Sequence, residues 1–128
     1  MDNKSSRPTQ LRLPPLVLAI VGESEDPRAL VFPGKAGVIS GFSKLKRRLD
    51  SLSGVRDWRL HDLRRTTASG MEGLGTDPLT IHGVLNHKLG GLSEVYLRAE
   101  LQERKAKALQ NWADHIDEVV ARQRGWAS

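Results

Sequence analysis

Four side chains suited to phosphate and proton chemistry fall on two neighbouring stretches. His61 and Arg64 lie in "HDLRRTTA", His87 and Tyr96 in "LNHKLGGLSEVYLRA". On a helix, residues three apart share a face and stand about 5–6 Å from each other. That span fits two oxygens of one phosphate, and Arg64 brings a planar, permanently charged fork to it. Arg65 points elsewhere and pairs with an acid or with a phosphate backbone. Tyr96 is the chain's single tyrosine. A phenol has a solution pKa of about 10, so it is a poor nucleophile at neutral pH without a cation or an imidazole beside it. His87 stands nine positions earlier, across Gly90-Gly91. Taken singly, each feature has a plain reading. An HxxR pair is common on helix surfaces, and a lone tyrosine is more often a core aromatic with a bonded hydroxyl. The joint pattern is what points to chemistry.

The bulk of the sequence limits the other choices. Its 128 residues make one modest domain or a piece of a larger one. The net charge of +5 suits a polyanionic partner, though many soluble proteins are as basic. There is no cysteine, which removes disulfides and thiolate metal sites. His82 and His87, five apart and without a carboxylate at helical spacing, make a poor metal site, and no cofactor is expected. The longest apolar run, Leu16 to Val21, is too short to span a membrane. "MDNKSSRP" lacks the apolar core of a signal peptide, so the cytoplasm is the default location.

These groups must be positioned by elements that are mostly helical. "TQLRLP" alternates as a short strand, Leu11 and Leu13 on one face and Arg12 on the other, with Asn3 to Ser6 as the tip of a hairpin. Pro14-Pro15 opens a short helix with Leu16, Leu18, Ala19 and Ile20 as its buried side. A charged loop, a short extended "ALVFPG" and the glycine-rich "GKAGVISG" follow.

The next helix, about Gly41 to Leu52 and capped by Ser40 or Ser43, carries an apolar stripe of Phe42, Leu45, Leu49 and Leu52. Its other face bears Lys44, Lys46, Arg47 and Arg48, suited either to sequence-independent phosphate contact or to plain solubility. The HxxR helix runs from about Arg59 to Leu74 behind Trp58, which is expected to pack. "TDPLTIHGVLNH" starts with Thr76 or Asp77 as cap and Pro78 in the first turn. A helix around Leu92 to Arg98 holds Tyr96, and a last one, Glu100 to about Arg124, spaces Leu109, Trp112, Ile116, Val119 and Val120 helically. The expected fold is mainly α with a small hairpin or sheet at the N-terminus. We divide it into a hairpin remnant (1–13), a helical core (14–98) and a C-terminal helix (99–124).

In order, "HDLRRT", "LNHKLGG" and "VYLRAEL" resemble the catalytic domain of the tyrosine recombinases, the phage-integrase family. The wording is similar to the prophage and integrative-element branch, and "LQERKAKALQNWADHID" continues the likeness. The resemblance spans nearly the whole chain and is strongest from Trp58 to Ile116. It implies a site-specific DNA recombinase, bacterial or phage-encoded, acting on double-stranded attachment sites. Tyr96 would attack a DNA phosphodiester to give a 3′-phosphotyrosyl link and a free 5′-hydroxyl, with no cofactor. Arg64 and His87 would hold the non-bridging oxygens, and His61 would manage protons at the tyrosine. Lys4, falling where the family keeps a hairpin lysine, would protonate the leaving 5′-oxygen.

The family's first catalytic arginine belongs to a box upstream of that lysine, and neither Arg7 nor Arg12 has the context to replace it. The chain is therefore expected to be an N-terminally truncated catalytic domain. Two other readings stand beside the enzyme: a DNA-binding remnant without turnover, and an assembly partner joining full-length integrase through its last helix. Trp112, Ile116 and Val120 on that helix read as core or as a face for a neighbouring protomer.

Overall fold

The computed structural model describes residues 10–35, 37–87 and 98–127. In chain order the elements are α1 (Pro15–Val21), β1 (Pro33–Gly34), β2 (Gly37–Val38), α2 (Phe42–Ser53), α3 (Leu60–Gly73), α4 (Pro78–Val84) and α5 (Arg98–Ala127). The fold is mainly helical, as the periodicity requires. The expected hairpin tip, Asn3 to Ser6, lies outside the described residues. Residues 10–13 form no strand, and the sheet is the two-residue antiparallel pair β1–β2, with Pro33 opposite Val38 and Gly34 opposite Gly37. "FPG" and "AGV" have turn glycines close enough to close a ladder locally. "QLRL" has no partner strand among the described residues.

The core sits where α3, α4 and α5 meet, with α4 packed most extensively on α5. Met71, Ile81, Val84 and Ala108 are buried there, and Ala68, Leu85, Leu109 and Trp112 pack around them. Two glycines let the helices approach. A Cβ on Gly70 would overlap the six-membered ring of Trp112, so α3 and α5 touch through bare backbone against indole. Gly83 accepts the Lys105 side chain in the same way, with a would-be Cβ 3.2 Å from Cδ. Lys105 is 5% exposed, and burial pushes its ammonium pKa down. With its amide turned to pair both ends, Gln102 accepts from Lys105 Nζ (3.2 Å) and donates to the Gln10 carbonyl (3.1 Å). That bond ties the segment before α1 to α5.

α5 is 30 residues long, so it spans about 45 Å at 1.5 Å per residue. Only its first half is engaged by α3 and α4. Trp112 packs on the core as expected, whereas Ile116, Val119 and Val120 on the later turns are exposed. Gly125 does not end the helix. None of the described helices is long and apolar enough to cross a membrane.

α2 does not bury its apolar stripe. Phe42, Leu45, Leu49 and Leu52 are all exposed, and the side chain that α2 buries is Asp50. A buried carboxylate must be paired, and Asp50 is paired twice. Lys46 Nζ donates to Oδ2 at 2.9 Å and Trp58 Nε1 to Oδ1 at 2.7 Å. The Lys46 ammonium also lies 4.6 Å from the Trp58 ring centroid, a cation–π contact. The polar cluster therefore ties α2 to Trp58 in the segment that follows it. The expected serine cap is absent too: Gly41 is the N-cap, in the left-handed region at φ 80°. α1 likewise has no fully buried residue; Leu16 and Leu18 are half-buried while Ala19 and Ile20 are exposed.

Candidate phosphate-binding site

α3 is started by Asp62, whose Oδ2 accepts from the Arg59 backbone N–H at 2.8 Å, as in a capping box. The same carboxylate meets Arg65 at 3.7 Å, so Arg65 faces an acid, one of its two expected partners. With Asp62 and Arg65 so occupied, His61 and Arg64 occupy the exposed side of α3 one turn apart.

α4 is built for a sharp start and a sharp stop. Asp77 is its N-cap, accepting from the Thr80 N–H at 3.0 Å and the Thr80 hydroxyl at 2.7 Å. Pro78 sits in the first turn. At the other end Asn86 adopts the left-handed conformation, φ 59°. The His87 N–H then bonds the His82 carbonyl (2.9 Å) and the Asn86 N–H the Gly83 carbonyl (3.3 Å). Those two bonds, six-to-one and five-to-two around a left-handed residue, form a Schellman motif. In such a motif the side chain two past the cap folds back over the last helical turn. Here it brings the His87 ring onto His82, with ring centroids 5.2 Å apart and Nδ1 to Nδ1 at 3.0 Å.

Arg64 crosses from α3 to this helix end. Its Nη2 donates to the Leu85 carbonyl at 2.6 Å and lies 3.4 Å from His87 Nε2. The first contact satisfies an orphan carbonyl at the negative end of α4. The second brings a guanidinium and an imidazole together from segments 23 residues apart. Among the described residues, Arg64 Nε and Nη1 make no hydrogen bond. Burial holds the His87 pKa below its ordinary value, and the nearby His82, Arg64 and His61 add to that direction. His87 thus stands beside three cationic or cation-forming groups, which disfavour its protonated form.

Arg64 and His87, expected to act together, are in contact, with His61 close enough to bear on His87 electrostatically. Lys4 and Tyr96 lie outside the described residues. On α2, Lys44, Arg47 and Arg48 are exposed, while Lys46 is half-buried and held by Asp50 and Trp58. His82 was missed as a site residue because a spacing of five places two side chains on different helix faces. The signal was Asn86, a residue that tolerates the left-handed conformation, one position past the helix C-cap. Among the described residues no group of three His, Asp or Glu side chains is arranged to hold a metal ion. No protein-family model, curated protein or solved structure matches the chain.

Proposed function

We propose that this chain carries out, or is derived from a domain that carries out, DNA strand cleavage and rejoining through a 3′-phosphotyrosyl link. The observation that carries the reading is the Arg64–His87 contact across 23 residues. The resemblance implies that this pair acts on one phosphate, and a contact between the two side chains where α3 meets the end of α4 supports that reading. In the reading, Tyr96 Oη attacks phosphorus and the bond to the 5′-oxygen breaks. The 5′-oxygen leaves with a proton from Lys4, and a 5′-hydroxyl later reverses the step. Arg64 and His87 stabilise the added charge on the non-bridging oxygens, and His61 handles the tyrosine proton. Lys44, Arg47 and Arg48 contact the duplex backbone without reading bases.

A second reading has its own observation. Arg64 Nη2 already caps α4, which is a structural task a binding-only remnant would also keep. The two are separated by assaying Arg64→Ala and His87→Ala for duplex binding by gel retardation and for strand cleavage. The recombinase reading expects binding retained and cleavage lost in both. Equal binding with no cleavage in the unmodified chain as well would favour the binding-only remnant.

A further inference from the structure

The contacts at the α4 end assign protons. A guanidinium can only donate, so His87 Nε2, 3.4 Å from Arg64 Nη2, presents a lone pair. The hydrogen of neutral His87 then lies on Nδ1, where it faces His82 Nδ1 at 3.0 Å. One of those two nitrogens must donate and the other accept, so His82 Nδ1 is bare and His82 carries its hydrogen on Nε2. Arg64 thus fixes the tautomer of His87, and His87 fixes that of His82. Were both Nδ1 atoms protonated, two N–H groups would meet head to head at 3.0 Å, so one of the two nitrogens must stay bare.

A lone pair at Nε2 is the wrong form for holding an oxyanion, which needs a donor. We propose that His82 is a positioning residue that converts His87 from acceptor to donor when a phosphate oxyanion enters. As Arg64 turns from His87 Nε2 to the anion, one proton from solvent adds to Nε2. His82 Nδ1 meanwhile continues to accept the Nδ1 hydrogen and holds the ring in place. His87 becomes an imidazolium with both N–H groups bonded, one to the anion and one to His82. The groups bearing on it are His82 at the end of its own helix and Arg64 and His61 from α3; among the described residues none is a carboxylate. The anion therefore supplies the negative charge that stabilises the added proton. Anion binding and proton uptake are coupled, and affinity rises as pH falls from neutrality toward the ordinary histidine range. The inference rests on the phosphate-site reading but does not need Tyr96.

The test uses the full chain with 15N-labelled histidine and inorganic sulfate, which does not titrate near neutrality. In the free protein His87 should show a protonated Nδ1 and a bare Nε2. Sulfate should protonate Nε2 and draw in about one proton per anion, read by calorimetry in buffers of different ionisation enthalpy. His82→Ala should bind sulfate about tenfold more weakly and lose the fixed tautomer. His82→Gln, whose amide oxygen can accept from Nδ1, should restore most of both. His87 free as the Nε2–H tautomer, sulfate bound without proton uptake, His82→Ala equal to the unmodified chain, or no sulfate binding would each overturn the proposal. A Tyr96–DNA adduct formed without proton-coupled sulfate binding removes this inference alone. Coupled binding without an adduct removes the recombinase reading alone.

Discussion

Arg64 Nη2 donates to the Leu85 carbonyl at 2.6 Å and so joins α3 to the C-terminal end of α4. One side chain thereby serves the fold and faces the candidate phosphate site. Arg64→Lys keeps the charge but loses the planar fork. We expect it to lower stability by about 1 kcal/mol, the usual net value of one hydrogen bond. It should lower strand cleavage by about 10²–10³, the loss seen when one donor to a developing oxyanion is removed. Urea unfolding and single-turnover cleavage read the two effects separately. A cleavage loss no larger than the stability loss implies would mean that Arg64 is only a cap.

Gly70 is needed because the Trp112 ring occupies the space a side chain would take. Gly70→Ala should force α3 and α5 apart and destabilise the fold by about 1–3 kcal/mol, as overpacking does. The same change at Gly73, where a Cβ meets nothing within 4 Å, should not destabilise. Denaturant midpoints for the two variants make the comparison.

Asn86 holds the turn that stacks His87 on His82. Asn86→Ala removes the short polar side chain that lets asparagine adopt the left-handed region, which should cost about 1 kcal/mol. Asn86→Gly should keep the turn. In the histidine NMR spectrum, the alanine variant should lose the His82–His87 contact and the glycine variant keep it.

Acid should unfold the protein partly through Asp50 and Asp77. The hydrogen bond from Lys46 holds the Asp50 carboxyl below its ordinary value, burial opposes it, and the Trp58 indole adds to the lowering. The Thr80 hydroxyl does the same for Asp77, again against burial. Both folded pKa values lie below the unfolded ones, so the stability these groups give is complete above about pH 4 and lost as pH falls through the folded values. Asp50→Asn should flatten the acid side of a stability profile followed by tryptophan fluorescence. Asp77→Ala should also remove about 1 kcal/mol at neutral pH as a lost helix cap.

The helices were legible because their signals are local: Pro78 and Asp77 at the start of α4, and the spacing of Leu109 and Trp112 on α5. The convergence of Arg64 and His87 was legible only as a pattern of residue types, since the contact depends on how α3 packs against α4. Three features needed the fold. The burial of Asp50 on α2 follows from its pairing with Lys46 and Trp58, a polar preference that apolar periodicity cannot register. The β1–β2 ladder, Pro33 opposite Val38 and Gly34 opposite Gly37, is too short to show as an alternation in the sequence. His82 entered the site through one left-handed residue, which changes what a spacing of five means.

The central claim is that Tyr96 becomes covalently joined to DNA. On the proposed reading, a nicked duplex carrying a candidate recombination site from the DNA flanking the gene would trap the intermediate, because the short cleaved strand diffuses away before rejoining. The unmodified chain should give a protein–DNA band that survives denaturing electrophoresis, and Tyr96→Phe should give none. An identical band from Tyr96→Phe would contradict the role of Tyr96, and no band from the unmodified chain while it binds that DNA would contradict cleavage by this chain and leave the binding-only remnant.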